Sequence, residues 1–507
     1  MPQSDAAGVS PTTRALSRTM RHAIWLALFA VALVAAPVSQ AQTASVAPML
    51  IELDANARAT PEGSALADAQ DRFRSVLAED PRSALALAKE VVSLAIAAFG
   101  NDDPRVGLAL TNLAIVQADT RDYATAIENY TAAITSLELS TGTAAAPELE
   151  LPLRGLADAY MATGAVEAAI PLYERAILVT HVNDGPSNLD QIPTAASLSR
   201  AWLLLGKNRR ATTIQESIYR LQQRNMDESS DGYVDALMQR AQWYEGVRDF
   251  YAAAKSYRRA AQTLATHYDP MDARRIEPLI AFAFSAPQSA TSPYSGVDLG
   301  GRNLTFIILE ARRAVDEAVK IARAQTDEHP HVLPMTLVAQ GDWAMLLGNR
   351  TLAWRAYREA WAFLDADPSL HRLRDELFAE PTLLTSVRFD RVYSSGLFPA
   401  TDDEDYPQRG FVEINYNVSV GGAPVNLEIV DSEPAGLLDG QVYRGMPSFV
   451  FRPAFRDGRA VKFTGMTYRH QFRYNGNRFT ERERDFVKRT RAQRALAKGI
   501  RGDSGAG

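Results

Sequence analysis

Leu113-Ala114-Ile115-Val116-Gln117-Ala118-Asp119-Thr120-Arg121-Asp122-Tyr123-Ala124-Thr125-Ala126-Ile127-Glu128-Asn129-Tyr130-Thr131-Ala132-Ala133 is a stretch that the chain repeats. Ala126 follows Ala114 by twelve residues, Tyr130 comes four later, and Ala133 three after that. The same spacing recurs at Ala157, Ala169, Tyr173 and Ala176, with Tyr160 following the first alanine. It recurs again at Ala241, Ala253, Tyr257 and Ala260, with Tyr244 in the place of Tyr160. Intervals of three and four put these residues on one face of a helix. The small residues let two helices of a copy approach closely, and the aromatic ring fills the groove beside them.

The first positions, Ala114, Ala157, Ser199 and Ala241, lie 43, 42 and 42 residues apart. Ser199 with Ala211 is a weaker copy, marked by Trp202 and Gly206. One more step reaches Ala283, whose second helix is expected at Ala311, Val315 and Ala318. Those residues come sixteen late, which implies an insertion over 287–304, a segment rich in Pro, Ser and Gly. A final copy uses Gly341, Ala353, Tyr357 and Ala360. The pattern resembles the tetratricopeptide repeat. Its long step, with the linker Phe99-Gly100-Asn101-Asp102-Asp103-Pro104, resembles the repeats of kinesin light chain. The array is placed at 63–366. A single copy cannot bury its own apolar face, so stacked copies imply an all-α superhelix with a concave surface. That surface either binds a partner peptide or protein, or the array serves only as scaffold and spacer.

A different pattern begins at residue 405. Val412, Ile414, Tyr416, Val418 and Val420 alternate with Glu413, Asn415, Asn417 and Ser419, the period of a half-buried antiparallel strand. Gly421-Gly422 supplies a tight turn, and Val425, Leu427 and Ile429 alternate on the return. Gly436 to Met446 reads as a short helix. Phe451-Arg452-Pro453-Ala454 leads to an Asp457-Gly458 turn and a last strand carrying Met466, Tyr468, Phe472 and Tyr474. The phase of that strand changes at Gly465, where a β-bulge is expected.

This small α+β module, 405–480, resembles the C-terminal domain of TonB, the periplasmic energy transducer. The likeness rests on Tyr406-Pro407, the Gly410-Phe411-Val412-Glu413-Ile414 opening, Val425-Asn426, Ile429-Val430 and Ser432 on the return, Pro453-Ala454, and the aromatic last strand. It implies docking to TonB-dependent outer-membrane receptors by pairing an edge strand with a receptor peptide. Tyr406 and Pro407 lie beside that strand in the family, and Tyr468, Phe472 and Tyr474 join them as candidate partner-binding residues. The proline-rich linker of the family has no counterpart, which puts energy transduction in doubt. The alternative is a periplasmic adaptor in which the repeats do the binding.

Arg14, Arg18 and Arg21, the apolar run Ala23–Ala36, and Ser39-Gln40-Ala41 together read as a secretory signal over 1–41. The periplasm is the expected location, an uncleaved inner-membrane anchor being the alternative. A disordered linker is expected at 42–62, a joining segment at 367–404, and a basic tail at 481–507. Between Glu481 and Arg501 that tail has eight Lys or Arg against three acids. It reads as a solvated helix, with weak contact to the cell envelope as the other reading.

At 507 residues, several domains are expected. An apolar fraction of 46% and a charged fraction of 22% fit folded protein. A net charge of −6 argues against nucleic acid as a partner. The absence of cysteine excludes disulfides, zinc–thiolate sites and thiol nucleophiles. His329-Pro330-His331 lies in a loop between repeats, with no third ligand at helical spacing. Nucleophile elbows, phosphate loops, dinucleotide fingerprints and His-Glu-x-x-His helices do not occur. No catalytic residue, metal or cofactor is assigned, and the chain reads as a binding protein rather than an enzyme.

Overall fold

The structure, a computed structural model, describes residues 49–80, 82–289, 304–385, 408–476 and 479–503. The chain forms two compact units, one ending at Trp243 and the other starting at Tyr244. The signal, Tyr406-Pro407 and residues 386–404 of the joining segment lie outside the described residues.

The first unit is a run of helix pairs. Helix α1 (Ala55–Arg58) precedes α2 (Pro61–Glu79) and α3 (Ala84–Phe99). Then come α4 (Pro104–Asp119) with α5 (Tyr123–Thr141), and α6 (Glu150–Ala162) with α7 (Val166–Asp184). The pair α8 (Ile192–Leu204) and α9 (Asn208–Asn225) follows, and α10 (Asp231–Gly246) carries the boundary between units. Helices α2 and α3 are a copy earlier than any the spacing identified. Ala84, Ala88 and Val91 stand 42 residues before Ala126, Tyr130 and Ala133, and all three are buried.

The turn within five of the copies follows one rule. Arg121, Gly164, Gly206, Arg248 and Gly348, each five residues before the alanine of the second helix, all have φ between +65° and +84°. The residue after each donates its N–H five residues back, as Asp122 does to Gln117 at 2.8 Å and Ala165 to Tyr160 at 2.9 Å. This is the left-handed stop that ends one helix and aims the next. Glycine takes it without strain. An arginine there is unfavourable by roughly 1 kcal/mol.

Packing follows the spacing. Ala114, Ala126, Ala133, Ala157, Ala169, Ala176, Ala241, Ala253, Tyr257 and Ala260 are 0% exposed, Tyr173 is 1% and Tyr130 3%. Tyr160 is half-buried against the cores on either side of it. The weak copy shows its pairing directly, because Ser199 Oγ donates to the Ala211 carbonyl at 3.1 Å. Two of the repeat rings, Tyr130 and Tyr357, face a glycine. A Cβ on Gly155 would come within 2.4 Å of the Tyr130 ring, and one on Gly341 within 2.3 Å of Tyr357.

The expected disordered linker is partly corrected. Residues 49–53 are extended and packed, with Ile51 only 2% exposed, and helix α1 follows with Asp54 as its N-cap. The pattern 49–53 is too short to show a period of its own, which is why it read as linker.

The second unit holds α11 (Phe250–His267), α12 (Ile276–Ser289), α13 (Leu304–Ala324), α14 (Val332–Leu346), α15 (Arg350–Ala366) and α16 (His371–Phe378). Ala283, Ala311, Val315 and Ala318 are fully buried, and residues 290–303 of the insertion are outside the described set. Strand β1 (Thr382–Thr385) leads to β2 (Gln408–Val418) and β3 (Pro424–Glu433), then α17 (Asp439–Gly445). After these come β4 (Val450–Arg452), the hairpin β5 (Phe455–Arg456) and β6 (Arg459–Ala460), β7 (Phe463–Tyr474), and α18 (Glu481–Asp503). Strands β3, β2 and β7 form one antiparallel sheet in that order, while β1 pairs with β4. Val412, Ile414, Tyr416 and Val418 pack against Val442, Phe449 and Phe451. At Gly465 (φ +81°) β7 carries an extra residue between its pairings with Tyr416 and Val418, the expected bulge.

One compact unit holds both the last repeats and the module. Phe455 meets Trp354, Tyr357 and Phe378 edge-on or tilted at 5.1–6.2 Å. Gly422 lies against Met345 and the Phe451 carbonyl. Arg452, on β4, reaches Asp342 of α14 at 3.0 Å, both side chains being 5% exposed. The cause of the joint core is the last repeat. Among the described residues no further copy follows it, and α16, the β1–β4 ribbon and the β5–β6 hairpin pack against it instead.

Candidate partner-binding surfaces

Strand β7 is an edge of its sheet, and no strand beyond it joins the sheet among the described residues. Its pairings with β2 set Tyr474, Phe472, His470, Tyr468 and Met466 opposite Gln408, Gly410, Val412, Ile414 and Tyr416. These side chains therefore share the core face. Tyr468 packs edge-on against Phe449 at 5.1 Å, and burial pushes its hydroxyl pKa up to about 12. The Phe472 ring covers Gly410, where a Cβ would come within 2.5 Å of it. Tyr474 stacks on Phe479 at 5.5 Å. Tyr468 and Phe472 are thus half-buried supports of the edge rather than side chains offered outward.

The opposite face of β7 is polar. Arg469 lies over Phe411 at 3.8 Å and 3.5 Å from Glu413, and Thr467 Oγ1 donates to Asn415 at 2.8 Å. The basic tail forms α18, whose Arg491 pairs with Glu433 and whose Phe486 and Thr490 lie against Gly436. The tail is therefore docked at that end of β3, with Phe486 still 54% exposed.

A second surface belongs to the first unit and was not visible in the repeat spacing. Met49 N–H donates to Asn112 Oδ1 at 2.7 Å, and Asn112 Nδ2 donates back to the Met49 carbonyl at 2.8 Å. Ile51 N–H donates to Gln70 Oε1 at 3.2 Å, and Gln70 Nε2 to the Ile51 carbonyl at 3.4 Å. Asn112 on α4 and Gln70 on α2 are 42 residues apart, the repeat step, and are 2% and 9% exposed. Two equivalent positions of successive copies therefore grip alternate residues of one extended segment.

Buried acids punctuate both units. The Tyr173 hydroxyl donates to Asp158, Tyr257 to Glu245 at 2.8 Å, and Tyr357 to Asp342 at 2.7 Å. Burial raises the pKa of all three carboxyls, opposed at Glu245 by hydrogen bonds from Ser285 and Tyr257 and at Asp342 by Arg452 and Tyr357. His329 and His331 sit at the turn before α14, and burial lowers the His331 pKa. No group of three or more potential metal ligands occurs among the described residues, and none of their helices is long and apolar enough to cross a membrane.

No family model and no curated relative matches the sequence. Solved structures that resemble it include the nearly identical TPR-like repeats of a kinesin light chain from Podosopora anserina, at 17% identity, 41% coverage of this chain, 98% of that one and a TM-score of 0.36. The C-terminal part of a TPR repeat-containing protein from Cytophaga hutchinsonii matches at 11% identity over 61% and 98%, with a TM-score of 0.37. The TPR2AB domain of yeast Sti1, solved with pHSP90, matches at 13% over 54% and 99%, with a TM-score of 0.19. The chain is a protein of tetratricopeptide-like repeats with small sheets at its C-terminal end. That statement rests on its own helix register. The TonB likeness stays with the module's residue pattern.

Proposed function

We propose that this protein is a non-enzymatic, protein-binding repeat scaffold whose C-terminal module docks an extended partner segment along β7. The observation that supports this most is the edge itself. Twelve residues of strand end the sheet, with their aromatic row turned to the core. Such an edge recognises a peptide through main-chain hydrogen bonds. The TonB-like pattern makes periplasmic peptides of TonB-dependent outer-membrane receptors the first partner class to try. The joint core of α14, α15 and the β1–β4 ribbon would hold the edge at a fixed place on the last repeat.

Hydrogen exchange of the full chain, with and without millimolar receptor N-terminal peptides, tests it. Slower exchange confined to β7 supports docking. A Gln471→Pro variant, which removes a donor from the strand, should lose the effect. Unchanged exchange along β7 in a folded chain sinks the reading. The adaptor alternative, binding by the repeats alone, is favoured by the Gln70 and Asn112 pair.

A further inference from the structure

The sequence of exposure along the N-terminal segment is that of a bound strand. Ile51 is buried, Met49 and Leu53 are half-buried, and Leu50, Glu52 and Asp54 are exposed. Ile51 joins the core cluster of Leu66, Ala69 and Phe73. The backbone N–H and C=O of residues 49 and 51 leave an extended chain on the same side. Asn112 and Gln70 meet each with one acceptor and one donor, completing both polar groups as a neighbouring strand would.

A buried side-chain amide is costly without partners, since each of its polar atoms loses water. Asn112 and Gln70 find theirs in a backbone 63 and 19 residues away. An amide that reads N–H and C=O together reads any residue but proline at that place. Selection then comes from the side chains at alternate positions, which enter the apolar surface between α2 and α4. The next register positions hold Gly155 and Ser197, which carry no amide. The grip is therefore local to the first two described copies. Downstream, Asp54 accepts from Ala57 N–H at 2.7 Å, and Gly63 lies under the Ala57 carbonyl with no room for a Cβ. These contacts anchor the segment's exit while its upstream side leads into the N-terminal region.

We propose that Gln70 and Asn112 form a binding site for an extended peptide with aliphatic residues at alternate positions, and that Met49–Leu53 fills it as a tethered ligand of the same chain. The site gives the repeats a defined peptide class and a built-in competitor, so a partner gains the site only by displacing residues 49–53. The proposal rests on the repeats binding protein and is independent of docking at β7.

The test uses the full chain carrying Ile51→Asp, which removes the buried anchor and leaves both amides in place. A fluorescent peptide of residues 47–54 is titrated and followed by anisotropy. The tether holds the native segment at an effective concentration of order millimolar. The labelled peptide should therefore bind I51D at least about tenfold more tightly than wild type. Adding Asn112→Ala should cost about tenfold or more, and so should N-methylation of the peptide at its isoleucine, which keeps the side chain and removes the donor. Leu50→Asp, at an exposed position, should behave as wild type. A folded I51D chain that ignores the peptide overturns the proposal. So does binding that is indifferent to N112A or to N-methylation. If I51D does not fold, hydrogen exchange at Met49 and Ile51 of wild type with millimolar peptide decides. Faster exchange there supports displacement, and unchanged exchange overturns it.

Discussion

Replacing Arg452 by methionine removes one charge from a site where two are buried. Arg452 Nη1 lies 3.0 Å from Asp342 Oδ2, and its Nη2 donates to Thr382 Oγ1 at 2.9 Å. Tyr357 donates to the other Asp342 oxygen at 2.7 Å. Methionine fills most of the volume, so the cavity left is small and the electrostatic change dominates. Asp342 then keeps one hydrogen bond and no counter-charge at 5% exposure. Breaking a buried pair from one side costs about 3–5 kcal/mol. Replacing both partners, with Asp342→Leu added, removes the stranded charge and should recover most of that loss, although Tyr357 loses an acceptor worth about 1 kcal/mol. Urea unfolding followed by tryptophan emission reads the difference, because Trp343 and Trp354 flank the site on α14 and α15. The loss should also shrink in acid. Burial raises the Asp342 pKa and Arg452 opposes this, so in R452M the carboxyl takes up its proton at higher pH and the penalty fades below that point. A single variant within about 1 kcal/mol of wild type would refute a buried pair of this kind. Strict additivity of the two substitutions would refute their coupling.

Ala169→Leu should cost roughly 1–3 kcal/mol by overpacking a fully buried helix contact, while Glu167→Leu, at an exposed position of the same helix, should move the melting temperature little. Equal shifts would mean that the helix faces are misassigned. Glu245 supplies a pH signature. Its folded-state pKa is raised by burial, so the native protein keeps a proton that the unfolded chain releases, and this contribution is full below the ordinary glutamate value and lost as pH rises through the raised one. Urea midpoints between pH 4 and 8 should therefore favour wild type over Glu245→Gln progressively toward the acid end. Parallel curves for the two proteins would rule that out.

Much of the helical architecture was legible because its determinants are local and recur. Small residues at a fixed spacing of twelve can be found by counting, and the Ser199 copy, faintest in composition, makes the same pairing through its hydroxyl. The pair α2 and α3 falls inside the array expected at 63–366 but was not identified as a copy, because Arg72 stands where the pattern wants a small residue, although Ala84, Ala88 and Val91 keep register. Arg121 and Arg248 hide in the same way. Both take the left-handed turn position that Gly164, Gly206 and Gly348 advertise, and an arginine gives no sign of its φ. In the module, alternation along β2 located the buried face, and Gly465 located the bulge.

The polar residues that fix the binding surfaces could not be read that way, because what they mean depends on distant chain. Asn112 looks like one polar residue on a helix until Met49, 63 residues earlier, lies against it. Arg452 sits inside Phe451-Arg452-Pro453-Ala454, where it looked like filler between strand signals, yet its partner is 110 residues back on a repeat helix. In both cases a short polar side chain or a single charge joins segments that local pattern treats as separate: a linker to the first repeats, and a terminal module to the last. At each end of the described repeat region a segment that belongs to no helix pair packs against the repeats. At one end an extended segment is held by amides along α2 and α4, and at the other a sheet module is held by an ion pair on α14. Backbone gripped by side chains can be exchanged for another backbone, whereas a buried charge pair resists separation. Exchange of a bound segment is therefore expected at the N-terminal repeats, and a fixed mounting at the C-terminal ones.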